Sequence, residues 1–220
     1  AALTKLTSLV LHKNHFQGSI PEWLPSLHQL QSIDLSGNFM GGTIPENICD
    51  LKTLKDLNLE RNLLTGRIDT LHRCRKLRFL ALGENELTGS FTDSLLQQWS
   101  LLTDLDLSNN KLQGELPSEL FSMTLKVIDL HGNGFNGTIP DRHAANSALE
   151  FLALFGNQLT GTIGSNIEKL VNLRHLDLSR NKLEGDLPKH PIAKLVKLKY
   201  LFLAFNDKLL LCTDGLTNHV

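Results

Sequence analysis

Asparagine returns through this chain at a nearly fixed step. It stands at positions 14, 38, 62, 85, 110, 133, 157, 181 and 206, with steps of 24, 24, 23, 25, 23, 24, 24 and 25 residues. Each asparagine lies three residues after the second apolar residue of an alternating pair. Leu9-Val10-Leu11 precedes Asn14, Leu105-Asp106-Leu107 precedes Asn110, and Leu176-Asp177-Leu178 precedes Asn181. A period in this range is the mark of a stacked repeat, in which one unit cannot bury its own apolar face and neighbours must do it.

The rest of each repeat fits that geometry. Alternation over three or four residues reads as a short strand with its leucines inward and the intervening residues outward. The asparagine marks the exit from the strand, where a buried amide can satisfy backbone groups that the sheet no longer pairs. After each of the first eight asparagines comes an apolar residue and then a glycine, Gly18 through Gly185, and proline follows in five of the eight, at positions 21, 45, 117, 140 and 188. Asp69, Thr92 and Gly164 stand in the other three places. Repeats ending near Leu71 and Met123 are one residue short and the stretch Leu95 to Trp99 is one long, changes expected on the outer side where solenoids tolerate them.

The segment from Leu27 through Asn38 to Gly42-Thr43-Ile44-Pro45 resembles the plant-type leucine-rich repeat, LxxLxxLxLxxNxLxGxIPxxLxx, and the resemblance runs from about Leu3 to Asn206. It implies an α/β fold: a right-handed solenoid with a parallel concave sheet and short 3-10, helical or extended segments on the convex side. The expected division is a solenoid of about nine repeats over 1–208 and a C-terminal tail or start of a cap over 209–220. The families resembled are receptor-like ectodomains and secreted polygalacturonase-inhibitor-like proteins. Both carry cysteine-containing caps, and bare ends would expose core leucines, so a longer natural protein is expected.

Composition narrows the function. The formal net charge is −1, whereas a nucleic-acid partner usually demands a basic excess. No run approaches the length of a membrane-spanning helix, although a membrane-anchored parent protein stays open. The chain starts without methionine and shows no signal peptide. Basic clusters at Arg73, Arg75, Lys76 and Arg78, and at Lys194, Lys197 and Lys199, read as solvated flanks. Of the three cysteines, Cys49 and Cys74 lack zinc-site spacing and Cys74 reads as a small core residue, while Cys212 suits a terminal disulfide with a partner outside the sequence.

The outward residues lie one before the central leucine of each strand, then one, three and four after it. In the first five repeats they are largely polar and acidic: Asp34, Asp56, Glu60, Glu84, Asp104 and Asp106. Later repeats place Val127, Phe151 and Phe155 on a surface that should be wet, with Gly132 and Gly156 leaving room for a ligand and His131, His175, Asp129 and Asp177 at the rim. Tyr200 extends the patch, and clustered exposed rings suggest an interface. His131 with Asp129 and His175 with Asp177 resemble acid–base or metal pairs, but they sit two strand spacings apart, about 10 Å. Neither a serine nucleophile elbow, a phosphate loop nor an HExxH motif accompanies them. Asn136-Gly137-Thr138 is a candidate N-glycosylation sequon.

The expected function is therefore recognition of a protein or peptide partner on the concave face, without catalysis, cofactor or metal, and without a nucleic acid. An extracellular or cell-surface location follows from the resemblance, with an intracellular one left open. The alternatives are an accessory subunit of a larger assembly and an ice-binding protein. The latter requires a regular hydroxyl array, and the row Ser19, Thr43, Arg67, Ser90, Glu115, Thr138, Thr162, Asp186 is broken three times by charge.

Overall fold

The structure is a computed structural model and describes residues 3–121, 124–141 and 148–210. Nine parallel strands of three residues each form one sheet in strict chain order: Ser8–Val10, Ser32–Asp34, Asp56–Asn58, Phe79–Ala81, Asp104–Asp106, Val127–Asp129, Phe151–Ala153, His175–Asp177 and Tyr200–Phe202. They are numbered here as repeats one to nine. The register is uniform. Leu9 faces Ile33, Ile33 faces Leu57, and the central apolar residues continue through Leu105, Ile128, Leu152 and Leu176 to Leu201. The chain forms the stacked repeat expected from the period, with the parallel sheet that the leucine-rich-repeat resemblance implies.

Three smaller parallel ladders run along the flank. One joins Gln17–Ser19, Phe39–Thr43 and Leu63–Thr65, a second joins Gln113–Glu115 and Gly134–Asn136, and a third joins Glu184–Asp186 and Lys208–Leu210. The convex side carries 3-10 segments at Leu24–Ser26, Glu46–Asp50, Ile68–Arg73 and Ser165–Lys169, and short α-helices at Asp93–Gln98 and Lys189–Ala193. The repeat read as one residue long is where the first α-helix forms. Thr92, in place of proline, caps it by accepting from the Leu95 N–H at 3.3 Å. The extra length also brings in Trp99, which is fully buried and donates its indole N–H to the Leu71 carbonyl at 3.2 Å.

Leucines fill the interior, and Leu105, Leu107, Leu130, Leu154 and Leu178 are sealed from solvent. Each asparagine at a strand exit from Asn38 onward ties two coils together. The Asn110 amide donates to Leu107 and Ser108 of its own repeat and to Leu82 of the repeat before, while its oxygen accepts from the N–H of Leu87 in that earlier repeat. The same set recurs at Asn38, Asn62, Asn157 and Asn181. The ladder replaces backbone partners just where the sheet ends.

Cys74 is buried in the core, as its place in the repeat suggests, and it is also joined to Cys49 by a disulfide that was not expected, with Cα atoms 4.6 Å apart. The two lie 25 residues apart, one repeat, so stacking places them side by side on adjacent convex segments. A separation of one repeat is legible in the sequence only when adjacent repeats are aligned. Cys212 and Met123 lie outside the described residues. Leu209 and Leu210 belong to the flank strand that pairs with repeat eight.

Candidate functional site

The fourth outward position has one backbone shape in all nine repeats. Lys13, Gly37, Arg61, Glu84, Asn109, Gly132, Gly156, Arg180 and Phe205 all have φ between +47° and +67°. The chain turns off the sheet there in the left-handed region, which glycine enters freely and other residues enter at a cost. Gly132 and Gly156 thus serve the turn. The room assigned to a ligand at Gly132 is taken by Asn109, whose amide oxygen a Cβ at Gly132 would strike.

Aspartates at the second outward position also close this turn. Asp34 Oδ1 accepts from the Ser36 N–H at 3.0 Å and from its hydroxyl at 2.7 Å, and Asp177 holds Ser179 in the same way at 2.9 and 2.6 Å. Asp106 accepts from the Ser108 N–H at 2.8 Å and Asp129 from the His131 N–H at 3.2 Å. The His175–Asp177 pair suggested by spacing does not form, because Asp177 is turned to Ser179.

Uniform register lines the rings up in columns. Val127, Phe151, His175 and Tyr200 are successive neighbours at the first outward position. His175 stacks on Phe151 with centroids 4.5 Å apart and planes at 18°, and it meets Tyr200 at 5.7 Å and Phe202 at 5.5 Å. In the third column His131 stacks on Phe155 at 4.2 Å and 9°. The histidines are therefore members of the ring stack rather than its rim. Because the ring faces cover one another, Phe151 and Phe155 are half-buried, and so is Val127 beside Phe151. Tyr200, Phe202 and Phe205 belong to the end strand of the sheet, where even the central Leu201 is exposed, and the Arg180 guanidinium lies 5.1 Å from the Phe205 ring. Phe79, which the sequence pattern did not single out, is also exposed.

His131 is held at both nitrogens. Nδ1 lies 2.6 Å from Asp129 Oδ1, and Nε2 lies 2.8 Å from the Asn109 amide nitrogen. Burial works against its charged form. The Asp129 hydrogen bond and the carboxylates of Asp129, Asp106 and Asp177 outweigh it and hold the pKa above the ordinary histidine value. The acidic half is crowded. Burial raises the Asp106 carboxyl, against its Ser108 hydrogen bonds, and Asp129 pushes it the same way. Burial likewise raises Glu60, opposed by Arg61. At Asp34 burial is overcome by the hydrogen bonds from Ser36 and His12, and the pKa is lowered.

Over the 36 outward positions there are eight carboxylates, the six acidic residues of repeats two to five with Asp129 and Asp177. Against them stand three permanent cations, Lys13, Arg61 and Arg180. Eight minus three leaves this face at −5, while the whole chain carries −1. Where the acidic and aromatic halves meet there is a shallow depression lined by Glu60, Phe79, Ala81, Asp104, Leu105, Asp106, Val127, Asp129 and Phe151. Asn136 lies exposed on a flank strand, outside the concave sheet.

A leucine-rich-repeat family pattern matches residues 4–64 and 147–207, and a second leucine-rich-repeat pattern matches 101–123 and 124–143. The chain belongs to the leucine-rich-repeat family, in its plant-type form, and it resembles receptor ectodomains. Receptor-like protein 18 of Arabidopsis thaliana is 38% identical over 113 residues, which is 51% of this chain and 13% of that protein. The human serine/threonine-protein kinase 11-interacting protein is 36% identical over 138 residues, 60% of this chain and 12% of that protein. The chain thus spans about an eighth of the length of these relatives. Among solved structures, the plant peptide hormone receptor RGFR1 in complex with RGF2 superposes with a TM-score of 0.85 at 32% identity, covering 92% of this chain and 32% of that one. A plant ice-binding protein superposes with a TM-score of 0.69 at 25% identity, covering 97% of this chain and 78% of that one.

Proposed function

We propose that this chain is the recognition part of a receptor-like protein and binds an extended peptide or protein segment along its concave face, centred on the ring columns of repeats six to nine. One observation carries the reading. Seven rings, those of His131, Phe151, Phe155, His175, Tyr200, Phe202 and Phe205, occupy outward positions of four consecutive strands, where the fold requires none of them. Apolar rings on a solvent-facing sheet are the usual anchors of an interface. The RGFR1 structure, a peptide hormone receptor in complex with RGF2, lends support as an analogue. The disulfide between Cys49 and Cys74 suits an oxidising, extracellular setting, and a glycan on Asn136 would leave the concave face free. We propose no catalytic role: the outward nitrogen of His131 is engaged by Asn109. The ice-binding reading lacks its array, because Arg67 folds onto Asp69 in the hydroxyl row, with contacts of 2.7 to 3.1 Å.

The test is selection of binders from a displayed library of random dodecapeptides. Peptides enriched on the wild type should bind the Phe151→Ala/Phe155→Ala variant at least about 30-fold more weakly, the equivalent of about 2 kcal/mol, and should bind Ser36→Ala normally. Equal affinity for the double variant would remove the ring columns as the site. Stoichiometric co-purification of a constant partner from native extract would favour the accessory-subunit reading instead.

A further inference from the structure

The depression at the junction of the two halves is lined by Phe79 and Val127, with Asp104 between them in the first outward column, and by Asp106 and Asp129 side by side in the second. We infer that it receives a lysine or arginine side chain of the bound peptide, whose apolar residues lie on the ring columns beyond. This rests on the binding reading above and deepens it by naming the ligand: an extended, cationic and apolar peptide.

Charge decides the occupant. The concave face is far more negative than the chain as a whole, and two of its three cations are already engaged. Arg61 binds Glu84 at 2.9 Å and Glu60 at 3.3 Å, and Arg180 lies over Phe205. Asp104 takes only the Thr103 hydroxyl, at 2.6 Å, and Asp106 takes Ser108. Neither meets a lysine or arginine among the described residues. Burial and the neighbouring Asp129 make the ionised form of Asp106 costly in the free protein, a cost that an incoming cation would offset. The shape selects a side chain over a metal ion. Among the described residues no three acidic, histidine or cysteine groups come close enough to hold a metal, whereas a long aliphatic stem can lie on Phe79 and Val127 while its charged head reaches the carboxylates.

The spacing of the ligand follows. Asp104 and Tyr200 are four strands apart in the sheet, about 19 Å at 4.8 Å per strand. An extended chain covers that in about six residues. The basic residue and the residue that meets Tyr200 should therefore stand about six positions apart.

The experiment uses the intact chain and dodecapeptides selected from the random library. Wild-type binders should show lysine or arginine at one position with an aromatic or aliphatic residue about six away. In a synthesised binder, replacing that lysine by norleucine should weaken binding about tenfold or more, and the gap should narrow as salt is raised. On Asp104→Asn/Asp106→Asn the lysine and norleucine peptides should bind alike. Should the double variant lose its melting transition, Asp104→Asn carries the test alone, since Asp104 makes no turn hydrogen bond. Wild-type binders with no basic preference, equal wild-type affinity for both peptides, or a discrimination that survives in the asparagine variants would each overturn the inference. Those results leave the ring columns standing as a binding site. Binders indifferent to Phe151→Ala/Phe155→Ala, or no binders at all, would instead strike the broader reading, and this one with it.

Discussion

Asp104, Leu105 and Asp106 share one strand, yet the central residue and its neighbours answer to different demands. Leu105 is sealed in the core between the equivalent residues of repeats four and six, and any repeat could exchange its leucine with another. Asp104 and Asp106 face outward among Phe79, Val127 and Asp129, a combination found nowhere else on the sheet. The inward side is a lattice with one rule. The outward side is a set of addresses, each filled separately. What the lattice contributes to the outward side is registration: it brings residues 23 to 25 positions apart in sequence to within one strand spacing.

The comparison can be broken first from the inside. Leu107→Ala should cost about 2–5 kcal/mol in a denaturant melt, the range of a core truncation that leaves a cavity. Leu9→Ala, in the partly buried first strand, should cost less. A loss under about 0.5 kcal/mol at Leu107, typical of a surface position, would contradict its inward placement.

A smaller and sharper contrast lies within the asparagine ladder. Asn110→Ala strips partners from three carbonyls and from the Leu87 N–H. The cost should be at least about 1–3 kcal/mol, the desolvation penalty of a buried unsatisfied group. Asn14 is exposed and bonds only within its own turn, so Asn14→Ala should stay within about 0.5 kcal/mol. Equal losses would show that the asparagine acts locally rather than by joining coils.

The smallest effects belong to the outward side and depend on pH. The folded pKa of His131 is raised. Its contribution to stability is therefore full below the ordinary histidine value, about 6.5, and is lost as pH rises through the folded value. His131→Gln should fall furthest below wild type in mildly acidic buffer and approach it in alkaline buffer. Asp106 is also raised, so its ionised form is the disfavoured one. Asp106→Asn should melt higher than wild type at neutral pH, and the advantage should fade as pH drops below the carboxylate range. A flat difference across pH in either variant would remove the electrostatic account of the crowded junction.

These two sides also differ in how far the sequence discloses them. The nine strands, their register and the role of the asparagines follow from the 24-residue period, because each is enforced by the same burial in every repeat. The convex side was less legible. One extra residue and a threonine in place of proline turned a 3-10 segment into the Asp93–Gln98 helix, and the pairing of Cys49 with Cys74 appears only once adjacent repeats are compared. Outward residues could be assigned to columns, but not to their contacts. Stacking of His131 on Phe155 depends on side-chain rotation, and alternation alone does not reveal that Asp177 binds Ser179 instead of His175. The left-handed turn was hidden as well, because Lys13, Arg61, Glu84 and Phe205 occupy a shape that glycine would have announced.

The asparagine ladder has a direction, and direction matters while a chain is being made. In every linked pair the later asparagine completes the earlier turn: Asn38 takes the Phe16 N–H and the Leu11 carbonyl, and Asn206 takes the Leu183 N–H and the Leu178 carbonyl. A coil leaving the ribosome is thus unfinished until its successor has emerged and docked. Folding that follows synthesis would trail the growing end by one coil, about 24 residues here, each newcomer sealing the one before it. A pause in translation would leave a single open turn exposed, at the most recently made end, rather than a collapsed intermediate with the whole core unprotected.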